Sequence, residues 1–351
     1  MTIDPAHASA APRDEEELEE WLSRPTAGVV DALERAPGDI LVLGAGGKMG
    51  PSLTAMARRA ADGVGDGRRV LAVSRWSEAD QAARLEALGV EVIRSDLMES
   101  ASIAALPDAP NVVFMVGQKF GTSSAPSLTW MTNTVVPALV AERYAGSRIV
   151  AFSTGNVYPT SPVTGARPGA REGDALAPVG EYAASCVGRE RVLEHASLVR
   201  GTRVALIRLN YAVDLRYGVL VDIAQKVRDG AAVDVGMGFV NCIWQGDANA
   251  FALRALPHCA TPPFLLNVTG GELLSVRVVA REFGRLLGRE PRFAGTEGGD
   301  ALLSDTARLH AVFGVPEVSA AELIAWVADW VGRGGRTLGK QTRFESRDGR
   351  F

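Results

Sequence analysis

The stretch that decides the fold is DILVLGAGGKMG, at residues 39–50 of a 351-residue chain. Its first six residues are an almost continuous apolar run that ends in glycine, as expected of a strand buried on both faces of a parallel sheet. The glycines that follow permit a tight turn, and the residues from Lys48 to about Ala61 have a helical pattern. The stretch therefore predicts a buried strand that enters a helix through a glycine-rich turn.

The same alternation of strand and helix continues along the chain. Repeated β-α units require parallel strands covered by helices on both faces, and right-handed crossovers favour the doubly wound order. We therefore predict an α/β fold, a doubly wound parallel Rossmann sheet with a smaller C-terminal substrate-binding lobe. The further strand signals lie at 69–74, 90–96, 111–117, 147–154, 202–210 and 263–270.

The predicted domain organisation follows from where this alternation starts and stops. Two short helical patterns precede the first strand, so residues 1–37 are assigned to an N-terminal helical extension. Residues 38–210 are assigned to the Rossmann core, and residues 240–270 return to it. The more mixed segments, 211–239 and 271–351, are assigned to the substrate-binding lobe and the C-terminal tail.

Composition and charge argue against several classes of protein. The formal net charge is -4 and no basic block occurs, so we expect no nucleic-acid partner. No apolar run approaches about 18 residues, and the acidic N-terminus lacks the apolar core of a secretory signal, so we expect neither a membrane span nor export. The three cysteines form no CxxC pair, which favours a reducing, cytoplasmic location with no disulfide and no metal site.

The glycine-rich turn also predicts a ligand. It spells GxxGxxG between a strand and a helix, where the backbone can approach a pyrophosphate and the first N–H groups of the helix favour its charge. The second strand ends in Ser74-Arg75 with no acid, and arginine suits a 2′-phosphate, so NADP is preferred over NAD as the cofactor. The predicted cofactor contacts are Gly44, Gly46, Gly47, Lys48, Met49, Gly50, Ser74, Arg75, Asp96, Leu97, Val116 and Gly117.

Two motifs further along the chain carry a resemblance to a known family. The fifth strand ends in AFSTGNVYP (151–159), and EYAASCVGRERVLE (181–194) opens a helix downstream. With the glycine turn, these motifs resemble the extended short-chain dehydrogenase/reductases, also called the NAD-dependent epimerase/dehydratase family. The family pattern is a Ser/Thr pair before VYG, followed by YxxxK, and the resemblance covers residues 39 to 270.

The resemblance implies roles for four residues. Thr154 would hydrogen-bond the substrate, and Tyr182 would be the acid and base that moves a proton while hydride moves at the nicotinamide. Asn133 would hold an ordered water or the active-site helix, and Asn210 would contact the substrate.

One residue departs from the family pattern. The lysine expected four residues after Tyr182 is replaced by Cys186. That lysine would stabilise the phenolate and hold the nicotinamide ribose, which a thiol does poorly. Lys119 follows the fourth strand and is our candidate for the missing cation, with Arg189 as a weaker substitute. Cys186 is interpreted as a small buried residue, and the alternative of a covalent nucleophile lacks an evident activating base.

A second departure concerns the reaction. In the sugar 4,6-dehydratase branch, Asp and Glu follow the threonine, whereas Gly155 and Asn156 stand here, which disfavours that reaction. The predicted substrate contacts are Thr154, Asn156, Asn210, Arg216 and Trp244.

Three functions stay open at this point. The first is an NAD(P)-dependent oxidoreductase acting on a polyhydroxylated small molecule such as a sugar or sugar acid. The second is a sugar epimerase that retains its NAD(P). The third is a cofactor-binding regulatory protein with altered catalysis, which the missing lysine would favour. The family commonly pairs through the helices found here at 127–145 and 181–197, so a homodimer is expected.

Overall fold

The structure, a computed structural model, has a parallel seven-stranded sheet at its centre and describes residues 10–122, 124–165 and 169–350. Strands are numbered in chain order, and those of the sheet are β1 (Ile40–Leu43), β2 (Val70–Ser74), β3 (Glu91–Arg94), β4 (Asn111–Phe114), β5 (Arg148–Thr154), β7 (Arg203–Leu209) and β12 (Phe264–Val268). They lie in the order β12-β7-β5-β4-β1-β2-β3. The predicted doubly wound Rossmann sheet is confirmed.

The strand order reverses at β1, which pairs in parallel with β2 on one side and with β4 on the other. The carboxyl ends of β1 and β4 therefore border an open crevice, where α/β sheets bind their ligands. Side chains of β1 alternate between two hydrophobic cores, with Ile40 and Val42 in one and Leu41 and Leu43 in the other. This burial on both faces explains the continuous apolar sequence of the strand.

Helices cover both faces of the sheet. They are α1 (Glu15–Leu22), α2 (Ala27–Arg35), α3 (Gly50–Val64), α4 (Ala79–Ala87), α5 (Ser100–Ala104), α6 (Pro126–Trp130), α7 (Val136–Arg143), α8 (Gly180–Arg200), α9 (Val219–Arg228), α10 (Gln245–Arg254), α11 (Val276–Leu287), α12 (Ala307–Phe313) and α13 (Ala320–Gly332). One face packs against α2, α3 and α10, and the other packs against α7 and α8. Within the described ranges, no helix combines the length and apolarity needed to cross a bilayer.

A third hydrophobic core builds the smaller lobe from α9, α11 and α13. Leu18 and Leu22 of α1 are fully buried in this core, whereas Val29 and Leu33 of α2 are buried against the sheet. The two N-terminal helices therefore join the lobe to the sheet. The short strands are β6 (Ser161–Pro162), β8 (Ala212–Val213), β9 (Ala232–Asp234), β10 (Phe239–Val240), β11 (Ile243–Trp244), β13 (Leu274–Ser275), β14 (Arg292–Ala294) and β15 (Asp300–Ala301).

Candidate active site

The glycine-rich turn between β1 and α3 lies in close contact with the backbone around it. Gly44 has a φ of +87°, and a Cβ there would lie 2.9 Å from the backbone nitrogen of Val116, which follows β4. A Cβ at Gly50 would overlap the carbonyl of Ala45, so α3 can begin against the turn only with glycine. Glycine backbone therefore faces the crevice at the start of α3. Such a surface fits the pyrophosphate of a dinucleotide.

The end of β2 lies in contact with this turn. A Cβ at Gly46 would be 2.6 Å from the hydroxyl oxygen of Ser74. Arg75 follows with an exposed side chain, while Trp76 adopts a φ of +53° and donates its indole N–H to the Ile93 carbonyl at 3.1 Å. The chain therefore presents a cation beside the glycine turn, the charge that suits a 2′-phosphate.

The next two strand ends supply the remaining predicted cofactor contacts. Asp96 is exposed, and its carboxylate accepts a hydrogen bond from the Met98 N–H at 3.0 Å. Leu97 is 6% exposed and packs in the core, and its contact with a cofactor stays a prediction. Gly117, after β4, is exposed.

Asn133 ties the loop after β4 to α8. It lies in a π-helical turn, Met131–Val135, and is fully buried. Its Oδ1 accepts from the Gln118 N–H at 2.9 Å, and its Nδ2 donates to the Gln118 carbonyl at 3.0 Å and to the Ser185 hydroxyl at 2.9 Å. These two hydrogen bonds fix the backbone of Gln118, the residue that precedes Lys119.

A cavity of about 150 Å³ lies at the carboxyl ends of β5 and β7. Because one water takes about 30 Å³ in the liquid, this volume suits the reacting part of a substrate and not a whole dinucleotide. Of the predicted site residues, the cavity brings together Lys48, Met49, Lys119, Thr154, Asn156, Tyr182 and Asn210. Its other lining residues, which the sequence did not single out, are Ser153, Leu209, Tyr211, Ala212, Tyr217, Gly218, Val219 and Thr342.

The hydroxyls of Thr154 and Tyr182 meet in this cavity. The Thr154 Oγ1 accepts from the backbone N–H of Asn156 at 3.2 Å and from its Nδ2 at 2.9 Å. Burial raises the pKa of Tyr182, as does the neighbouring Cys186, while Arg189 and a hydrogen bond with Thr154 lower it. Cys186 is 1% exposed, and burial raises the pKa of its thiol as well. The phenol therefore needs a cation close by to act as a base.

Lys119 places a cation on the wall of the same cavity. Its ammonium nitrogen lies 3.4 Å from the carbonyl oxygen of Thr342, in the C-terminal tail. Burial lowers the pKa of Lys119 to about 8, and the carboxylate of Asp222 opposes that shift. Arg189, in contrast, lies buried behind the cavity and donates to the carbonyls of Asn133 at 3.2 Å and Phe152 at 2.6 Å.

A buried ion pair supports the strand ends beneath the cavity. Arg208 on β7 donates to Glu190 on α8 through Nε at 3.0 Å and through Nη2 at 2.7 Å, and both side chains are under 5% exposed. The Ser153 hydroxyl donates to the same carboxylate at 2.5 Å, and Arg208 also donates to the Tyr158 hydroxyl at 2.6 Å. Asn210, just after β7, donates to the Asn241 side chain at 3.1 Å. These contacts fix the residue before Thr154 and the one before Leu209.

Two predicted substrate contacts lie elsewhere. The guanidinium of Arg216 donates to Asp214 at 2.7 Å and to Glu19 of α1 at 2.6 Å, so its charge is already paired. Trp244 is 4% exposed and packs edge-on against Trp326, with ring centroids 5.5 Å apart. Neither lines the cavity, and the contacts described here join Arg216 to α1 and Trp244 to the packing of the lobe, so their role in substrate binding stays a prediction.

The chain matches no protein-family model and no curated protein, but it is similar to many solved structures. DesIV, a dTDP-glucose 4,6-dehydratase from Streptomyces venezuelae solved with NAD and TYD, has a TM-score of 0.71 at 19% identity, covering 84% of this chain and 97% of that one. The UDP-glucose 4-epimerase of Thermotoga maritima, solved with UDP-glucose, has a TM-score of 0.68 at 17% identity over 84% and 99% of the two chains.

A third similar structure is MoeE5 in complex with UDP-glucose and NAD, with a TM-score of 0.67 at 20% identity over 84% of this chain and 99% of that one. At such low identities, the TM-scores of 0.67 to 0.71 show a shared fold. Both the topology of the sheet and the position of the glycine turn agree with that likeness. The chain therefore has the fold of the extended short-chain dehydrogenase/reductases.

Proposed function

We propose that this protein is an NAD(P)-dependent oxidoreductase that acts on a polyhydroxylated small molecule such as a sugar or sugar acid. The observation that carries the proposal is the convergence of Thr154, Tyr182 and Lys119 on one cavity that the glycine turn also borders through Lys48 and Met49. A hydroxyl donor, a phenol and a cation at one place are what the removal of a proton from a substrate hydroxyl requires.

The glycine-turn backbone would hold the cofactor diphosphate, and Arg75 would hold the 2′-phosphate, so NADP is preferred. When bound, the nicotinamide supplies hydride transfer. Thr154 donates a hydrogen bond to the reacting substrate oxygen, and Tyr182 takes or returns the proton on that oxygen. The Lys119 ammonium compensates the negative charge that forms on the phenol, which burial alone would make unfavourable.

An epimerase that retains NAD(P) is the second candidate. It is favoured by the fold likeness to UDP-glucose 4-epimerases, which reaches a TM-score of 0.69. A 4,6-dehydratase is disfavoured in spite of the likeness to DesIV, because Gly155 and Asn156 carry no carboxyl group and the Asn156 amide donates to Thr154. Both remaining reactions use the same proton transfer at Tyr182.

Three measurements separate these functions. Calorimetric titration of nucleotide-free protein with NADP and NAD tests the cofactor site, and no binding of either would end the proposal. Denaturing the purified protein and assaying the supernatant for nicotinamide nucleotide detects a retained cofactor, as an epimerase requires. A panel of sugars and sugar acids followed at 340 nm detects net oxidation. Cofactor binding without turnover or epimerisation of any substrate would favour the regulatory protein.

We also propose a homodimer through the face of α6 to α8. Leu128, Trp130 and Val135 are 39–45% exposed on this face, and the Trp130 indole donates to Glu181 of α8 at 2.6 Å. Sedimentation of the wild type and of Val135→Glu tests this, because a charge in an apolar interface should shift the protein to monomer. A wild-type monomer would contradict the proposal.

A further inference from the structure

Lys48 extends away from the glycine turn to which it belongs. Its ammonium nitrogen lies 3.4 Å from the carbonyl oxygen of Ala212 and 3.9 Å from the ring centroid of Tyr217. Both partners belong to the segment between β7 and α9, on the opposite wall of the cavity. The backbone of the turn therefore remains for contacts with a diphosphate. The Lys48 side chain instead extends into the cavity that Tyr182 also lines.

The use of lysine here is unusual for this chain. Of its 37 basic residues, 33 are arginines and four are lysines, and two of those four, Lys48 and Lys119, line this one cavity. Among the described lining residues there is no Asp, no Glu and no arginine. The polar side chains around the two ammonium groups are neutral, mainly hydroxyls and side-chain amides, so the wall of the cavity is positively charged.

The carboxylates near Lys48 are committed to other groups. Asp214 forms an ion pair with Arg216 at 2.7 Å. Asp222 accepts hydrogen bonds from the Thr342 N–H at 2.8 Å and from the Thr342 hydroxyl at 2.6 Å. Within the described part of the chain, no carboxylate lies within ion-pair distance of Lys48. Lys48 as a whole is exposed, but desolvation of its ammonium in the cavity lowers its pKa to about 7; Asp214 opposes this shift and the neighbouring Lys119 adds to it. An ammonium whose described neighbours are a carbonyl oxygen and an aromatic ring would gain stability from an anion bound in the cavity.

We infer that the substrate carries a carboxylate and that Lys48 binds it in this cavity. The inference rests on the proposed function and narrows its substrate class to sugar acids and related hydroxy acids. A carboxylate fits a volume of about 150 Å³. The described lining holds no arginine, so a bound anion would be held by the lysine as a point charge and not by a bidentate guanidinium. Lys48 is therefore a substrate-specificity residue contributed by the cofactor turn.

The test uses matched pairs of compounds that differ in the carboxylate alone. Cofactor-loaded protein is titrated calorimetrically with D-glucuronate against D-glucose, and with UDP-glucuronate against UDP-glucose. A charge-assisted hydrogen bond predicts that the acid of at least one pair binds about ten-fold tighter or more to the wild type. The preference should fall below about three-fold in Lys48→Met and persist in Lys48→Arg. Lys340→Met, which removes an exposed charge outside the cavity, is the matched control and should behave as the wild type.

Equal affinity within both pairs, no binding of either acid, or a preference that survives in Lys48→Met would overturn the inference. A second measurement on the wild type alone covers a variant that does not fold. The pKa of Lys48 is lowered to about 7 and that of Lys119 to about 8, so the acid preference should be full below about pH 6 and decline as the pH rises through these values; a constant preference would overturn the inference. The cofactor titration of the wild type comes first. Its failure sinks the proposed function, whereas intact cofactor binding without acid preference sinks this inference alone.

Discussion

Replacing Lys119 by methionine should weaken NADPH binding and abolish its response to alkaline pH. The ammonium of Lys119 lies on the wall of the cavity that Tyr182 and Thr154 also line, where the family's lysine would hold the nicotinamide ribose. A hydrogen bond to a charged group contributes about 1.5–3 kcal/mol, which corresponds to a roughly 10- to 150-fold weaker affinity for NADPH in Lys119→Met.

The pH dependence has a defined sign. Burial lowers the pKa of Lys119 to about 8, so the side chain is charged below that pH and neutral above it. The affinity of the wild type should therefore be highest below about pH 8. Above it the affinity should fall by up to about ten-fold per pH unit, until it reaches that of Lys119→Met. Lys119→Arg keeps its charge over this range and should show a flat profile.

NADPH fluorescence titrations of the three proteins at half-unit pH steps measure this directly. Lys340→Met controls for the loss of one positive charge at an exposed position. An unchanged affinity and a superimposable pH profile in Lys119→Met would refute the reasoning and remove Lys119 from the site. The missing cation would then have to be sought at Arg189.

Three further predictions concern the surroundings of the cavity. Glu190→Gln leaves the Arg208 charge buried and uncompensated, so urea unfolding should show a free energy of unfolding lower by about 3–5 kcal/mol. The control is Glu194→Gln in an exposed pair, which should lower it by at most about 1 kcal/mol, and equal losses in the two variants would contradict this. Arg75→Ala should weaken NADP about ten-fold or more and leave NAD unchanged in calorimetry, and an equal effect on both would exclude Arg75 from the 2′-phosphate site. Asp222→Asn removes the charged acceptor of the tail residue at 342, so limited proteolysis should cleave the C-terminal tail faster than in the wild type, and an unchanged rate would contradict the docking role.

The fold was predictable because its signals are local. The apolar run at 39–44, the glycines of the turn and the alternation of strand and helix each lie within a few residues of one another. Lys119 could be proposed for the same reason, since it follows a strand whose carboxyl end must face the crevice. Its position in the cavity agrees with that reasoning, whereas its role is untested.

Other residues of the site could not be found from local patterns. Thr342 reaches the cavity because Asp222, 120 residues earlier, accepts two of its hydrogen bonds, and nothing in the tail sequence marks that docking. The ion pair of Arg216 could not be foreseen for a similar reason, because its partner Glu19 comes from a helix 197 residues earlier in the chain. Pairings at such separations follow from packing of the whole lobe, which a single sequence does not display.

Cys186 stands where the resemblance expects a lysine, so a positive charge near Tyr182 has to come from another part of the chain. Cys186 packs with Val157, Tyr158 and Ala170 in a small cluster, so this position on α8 supplies a buried thiol and no positive charge. Of the two lysines on the cavity wall, Lys119 comes from the loop after β4. Asn133 fixes the backbone of that loop through two hydrogen bonds to Gln118, the residue before Lys119. A cation on that clamped loop is positioned by tertiary contacts and not by helical spacing from the tyrosine. Counting residues along α8 from Tyr182 therefore does not locate the cation that its phenol requires.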